Sequence, residues 1–218
     1  MPNRLLTPIL LTSSLLLTGC QTAYYATLEK FGVEKRDILV DRVEEARESQ
    51  TEAKQQFESA LDEFISVTGY QGGDLESQYR RLKEAYEDSE ARAEDVHARI
   101  DKVEDVAEAL FAEWETELDQ YSSSSLRRQS AAQLRDTRSR YSQLLAAMQR
   151  AEKRIDPVLN AFRDRVLYLK HNLNAHAIGA LRGDLGQVQS DVGQLLGEMQ
   201  RSIREADEFI AAMGEPPG

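Results

Sequence analysis

Cysteine is nearly absent. Cys20 is the only one in 218 residues, so no intramolecular disulfide can staple the chain. Also missing are a His-Glu-x-x-His helix, a Cys-x-x-Cys pair and a glycine loop followed by Lys-Ser/Thr, the usual carriers of zinc, redox and phosphate chemistry. Aromatic residues make up 7% of the chain and charged residues 30%, too thin an apolar supply for a thick globular core. Basic residues are outnumbered, 27 to 38. That excludes the basic footprint nucleic acid requires, and it disfavours a body lying flat on anionic lipid. The most apolar stretch, Leu5–Leu17, holds Pro8 and Thr12 and falls short of the roughly 20 residues that span a bilayer.

That short stretch has its own logic. Arg4, the apolar run and then Leu17-Thr18-Gly19-Cys20 have the order of a secretory signal with small residues at the cut site. The junction resembles the lipobox of bacterial lipoproteins, in which the cysteine thiol is acylated and becomes the new N-terminus. Residues 1–19 are therefore read as a lipoprotein signal peptide, with Cys20 as the lipidation site and membrane anchor. A single acyl chain anchors only marginally, so a diacylglycerol plus an N-acyl chain is the expected form. Loss of Arg4 with the leader takes the formal net charge from −11 to −12. Residues 20–36 read as a tether. Its Tyr24 and Tyr25 suit either the lipid headgroup level or the cap of a bundle end.

Beyond the tether, apolar residues recur at alternating spacings of four and three, the seam of a coiled coil or long bundle. The first seam is Leu39, Val43, Ala46, Gln50, Ala53, Phe57, Ala60, Phe64 and Val67. Gly69, Gly72 and Gly73 end it, and Asp74 is placed to cap the next helix. The second seam runs Leu75, Tyr79, Leu82, Tyr86, Ser89, Ala93, Val96, Ile100, Val103, Ala107, Leu110 and Trp114, closed by Leu118 and Tyr121. No glycine or proline interrupts Asp74–Tyr121. Ser122–Ser125 breaks the pattern, with Ser124 or Ser125 as the expected cap. A third seam follows from Leu134 through Thr137, Tyr141, Leu144, Met148, Ala151, Ile155 and Val158 to Phe162. Its spacing is unbroken across Pro157, which predicts a kinked but continuous helix. The fourth comprises Leu181, Leu185, Val188, Val192, Leu195, Met199, Ile203, Ala206, Ile210 and Met213, weakened by Gly183, Gly186, Gly193 and Gly197.

These seams predict an all-α fold: an elongated antiparallel helical bundle or coiled coil of about four long helices, at about 37–67, 74–121, 125–170 and 176–213, with 214–218 as a tail. Up-down-up-down is the simplest closure of the bundle 37–213. Charge supports pairing the second helix with the third. Seven acids and no base occupy residues 104–119, while Arg127, Arg128, Arg135, Arg138 and Arg140 lie across the serine turn. An alternative closes the seams only between protomers, as a homo-oligomeric coiled-coil spacer.

Two constellations carry candidate chemistry. Glu94 and His97 form a Glu-x-x-His unit, the spacing that puts two metal ligands on one helix face. However, Val96 owns the seam position, and neither His171 nor His176 has a glutamate three residues before it. A solvated surface pair is the favoured reading, and a metal- or small-ligand-binding bundle using Glu94, His97 and His171 the alternative. The second is Lys170, His171, Asn172, Asn174 and His176, a polar patch able to contact a partner. Read structurally, it is a helix reversal whose asparagines accept left-handed angles. No cofactor is implied, and no catalytic constellation emerges.

Tyr24–Gly32, Gly72–Glu76, Ala109–Trp114 and Leu167–Ala175 together resemble a proteobacterial group of small envelope lipoproteins catalogued only as a domain of unknown function. The resemblance covers essentially the whole mature chain and supplies no activity or ligand. It implies a lipoprotein of a Gram-negative envelope, with Gln21 after the lipidated cysteine looking like the default for the outer membrane. The lack of a catalytic constellation makes a non-enzymatic role the expectation. The expected location is the periplasmic face of that membrane. The expected partners are the membrane through Cys20, and an envelope protein or a second copy.

Overall fold

The computed structural model describes residues 34–214. The expected signal peptide, Cys20, the tyrosines of the tether and residues 215–218 lie outside the described residues. Four long helices account for nearly all of the described chain: α1 Lys35–Thr68, α2 Leu75–Glu117, α3 Ser124–His171 and α4 Ala175–Gly214. A single 3-10 turn, Leu118–Gln120, extends α2. Among the described residues there is no strand. At 1.5 Å per residue the 48 residues of α3 form a rod about 70 Å long.

Each helix packs against its neighbours in sequence, and α4 returns to α1, so the four stand at the corners of a closed square. All nine residues of the first seam are buried, as are Leu82 to Leu110 of the second and the third seam except the half-buried Tyr141. Phe64 of α1 meets Phe162 of α3 edge-on across the core, ring centroids 6.3 Å apart. The seams thus close within one chain, and closure does not require a second copy.

Local chemistry explains the ends. Asp74 caps α2, its Oδ1 accepting from Ser77 N at 3.0 Å. Gly72 and Gly73 turn the chain at φ +141° and +112°, a region side chains avoid. The carbonyl of Thr68 at the C-terminus of α1 accepts from Nε and Nη2 of Arg182 on α4, at 3.0 and 2.9 Å. The fork satisfies a helix-end acceptor and ties α1 to α4. At the other end, Lys35 of α1 reaches Glu113 of α2 at 3.0 Å, and Arg36 donates to the Met213 carbonyl of α4.

Four expectations need correction. The cap of α3 is Ser123, whose hydroxyl accepts from Leu126 N; α3 begins one residue earlier than a Ser124 cap allows. Tyr121 does not close the second seam. The 3-10 turn tightens the helix after Glu117, and Tyr121 leaves it in extended conformation and exposed. In α4, Ser202 and Phe209 are buried where Ile203 and Ile210 were expected, and the isoleucines are half-buried. Asn172 is not left-handed: it sits at φ −136°, its Nδ2 donating to the Tyr168 carbonyl. By contrast, α3 does run unbroken through Pro157. The proline and Lys153, whose carbonyl it deprives of its helical partner, are both exposed residues.

Candidate functional site

His97 is the centre of the best-defined polar constellation. It projects from α2 into the boundary with α3, half-buried. Its Nδ1 lies 2.7 Å from Glu152 Oε1, and its Nε2 lies 4.0 Å from Asp156 Oδ1, one turn further along α3. The group therefore works as a polar clasp between two helices, with the Glu152 contact a hydrogen bond and Asp156 lying just beyond hydrogen-bond reach. Glu94, the expected companion, sits on the exposed face one turn earlier and does not join it. Among the described residues, no group of three or more His, Cys, Asp or Glu is arranged to hold a metal ion. Glu152 and Asp156 were not picked out from the sequence. The register that pairs Glu115 with Arg138 also sets His97 against the Glu152–Asp156 turn, and that register was the available signal.

The Lys170–His176 patch is the α3–α4 turn. Lys170 and His171 are exposed at the end of α3, and His176 is exposed in the first turn of α4. Asn174 serves α4 instead, its Oδ1 accepting from Ala177 N at 3.0 Å. Asn172 is engaged with the Tyr168 carbonyl at 2.9 Å. The structure therefore gives the asparagines capping work and leaves Lys170, His171 and His176 outward, beside exposed Leu167, Tyr168 and Leu173.

The expected charge pairing across the serine turn holds for two of the arginines. Arg138 pairs with Glu115 and lies over the Phe111 ring, 5.1 Å from its centroid, while Arg127 pairs with Asp119. Arg140 turns instead to a cleft it shares with Glu205 and Glu208 of α4. Tyr141 packs edge-on against Phe111, 5.4 Å between centroids, and burial, reinforced by Glu104 and Glu108, pushes its hydroxyl well above the ordinary range. Tyr86 is raised as well, by burial and by its hydrogen bond to Glu90. Trp114 donates from Nε1 to Ser130 Oγ at 2.8 Å, so it knits α2 to α3 rather than offering a stacking platform.

Two clefts between helices are shallow and open to solvent. One between α1 and α4 is lined by Arg47, Glu48, Thr51, Glu52, Ile203 and Asp207; another between α3 and α4 is lined by Ser139, Gln143, Arg150 and Glu205. Inside the bundle, Ser49 Oγ, both amide atoms of Gln50 and Ser202 Oγ have no hydrogen-bond partner among the described residues. No described helix is long and apolar enough to cross a membrane.

A family model matches residues 24–213, most of the chain; its description is a protein of unknown function (DUF2959). No curated protein and no solved structure matches the chain.

Proposed function

The chain belongs to that family of unknown function, and we propose that it is a lipid-anchored, non-enzymatic rod facing the periplasm, a scaffold or spacer for an envelope partner. The observation that carries this reading is the self-closed bundle about 70 Å long, whose apolar seams are used up inside one chain. Its sides are left charged and polar. The Leu17-Thr18-Gly19-Cys20 junction supports an acylated N-terminus, and the outer membrane is the proposed location. A rod held at one end separates its tip from the bilayer by a fixed distance, which is what a spacer supplies.

Two measurements test it. The intact mass of protein isolated from cell membranes should exceed that of residues 20–218 by the acyl groups; a free Cys20 thiol would remove the anchor. Photo-reactive residues placed singly along the four helices and in the Thr68–Gly73 and Lys170–His176 turns should give one discrete adduct from one face or end. Uncrosslinked monomer at every position would remove the scaffold role.

A further inference from the structure

The six large apolar side chains exposed among the described residues are not spread along the rod. Ile65, Leu167, Tyr168 and Leu173 lie at one end, and Tyr121 and Leu126 at the other. The second end is where α1 begins and α4 finishes, joined by the Arg36–Met213 bond, and where the α2–α3 turn folds over. We propose that this turn, residues 118–128, rests end-on against a lipid headgroup surface, with Tyr121 and Leu126 at the headgroup–acyl boundary.

Chain length selects the occupant. The proposal rests on the reading of Cys20 as acylated. The stretch from Cys20 to Glu34 spans at most about 50 Å fully extended, less than the rod, so the lipid brings this end and not the far one to the bilayer. The side chains suit that surface. Tyr121 is 41% exposed and Leu126 53%, the latter in the first turn of α3. A tyrosine carries an apolar ring and a polar tip, the combination favoured at membrane interfaces. Within the turn charge is balanced: Asp119 pairs with Arg127 and Glu115 with Arg138, and exposed Glu117 is matched in number by exposed Arg128, while Glu34 and Asp37 are exposed at the start of α1. Two side chains are too small a footprint to hold a free protein to lipid. Once Cys20 is attached, however, the contact is intramolecular and its effective concentration is high. The mature chain without lipid is accordingly expected not to sediment with vesicles.

The test uses the chain from Cys20 onward, coupled through the Cys20 thiol to a maleimide lipid in phosphatidylethanolamine–phosphatidylcholine vesicles with brominated acyl chains. In a W114F background, L126W and L173W each leave one tryptophan, at opposite ends. Bromine is expected to quench L126W at least threefold more strongly than L173W. Equal quenching, or stronger quenching of L173W, overturns the proposal. If W114F loosens the bundle, amide exchange in the unsubstituted chain decides instead. Peptides covering 118–128 should slow severalfold on coupling while those covering 168–176 do not, and no slowing overturns the proposal. Because coupling is chemical, this result is independent of whether cells acylate Cys20, which the intact mass decides separately.

Discussion

Helices α1 and α4 lie side by side and close the same wall of the bundle, yet they are built differently. In α1 nine seam residues in strict four-three alternation are all buried, and the outer face is dense with charge. In α4 the seam is comparable, but the outer face is poor in side chains. At Gly179, Gly183, Gly186, Gly193 and Gly197 an added Cβ would meet nothing within 4 Å. Each interior glycine costs a helix about 1 kcal/mol relative to alanine. Helix α1 is therefore helical by its own pattern, whereas α4 relies on the two helices it packs against, α3 and α1. Secondary structure of the same quality can rest on different supports.

The comparison can be broken at the seams first. Phe57→Ala in α1 and Phe209→Ala in α4, both at buried positions, should each lower unfolding stability by about 3–5 kcal/mol in urea titrations. Ile210→Ala should cost markedly less than Phe209→Ala; equal losses would mean that α4 does not use the observed seam. Next comes the buried amide of Gln50. Gln50→Met keeps the volume and removes two unpartnered polar atoms, and should raise stability by about 1–3 kcal/mol by the same measurement. A loss instead would mean that water or a neighbour satisfies the amide. The glycines sharpen the contrast directly. Gly186→Ala and Gly193→Ala should each add about 1 kcal/mol, and additively, since they are two turns apart. Gains well below that would point to a backbone packed on this face by something beyond the described residues.

The smallest effect lies on the other flank of α1. Burial pushes the Glu45 carboxyl up, but hydrogen bonds and attraction from Arg42 and Arg99 outweigh it and hold the group below its usual 4.5. Since the folded value is the lower one, the carboxylate stabilises the fold above the unfolded value. That contribution fades as pH falls through the folded one. The group is largely solvated, so less than about 1 kcal/mol is at stake. Urea midpoints measured from pH 5 down to 3 should fall slightly less steeply in Arg99→Gln.

Spacing proved a better guide than residue type. In α1 the two agreed, and the seam was legible to its last residue, the polar Gln50 included. In α4 the strict alternation leads from Met199 to Ser202, Ala206, Phe209 and Met213, all buried. Reading hydrophobicity instead picks Ile203 and Ile210, half a helix face away. A serine in the core is the reason the pattern misled. In α3 the alternation itself slips, from Phe162 to Val166, and Arg165 at the skipped position donates to Asp184 of α4. The His97 clasp was half legible: the histidine stood out, but its carboxylates sit 55 or more residues away and come into view only once the α2–α3 register is known. The cap of α3 could not be chosen among four consecutive serines by composition, because each offers the same hydroxyl and only backbone geometry separates them.

Ring closure between α1 and α4 has a consequence in time as well as in space. The other three interfaces join consecutive helices through short turns and can form as local hairpins. The bonds between α1 and α4 link residues 114 to 177 positions apart, Arg182 to Thr68 and Arg36 to Met213 among them. Closing so long a loop carries the largest entropic penalty, and non-local pairing of this kind slows folding. Emerging from synthesis, the chain can complete α1–α2 and then α3 while the side of α1 meant for α4 stays uncovered. A chain cut short before α4 would keep that apolar strip open and would be prone to aggregate.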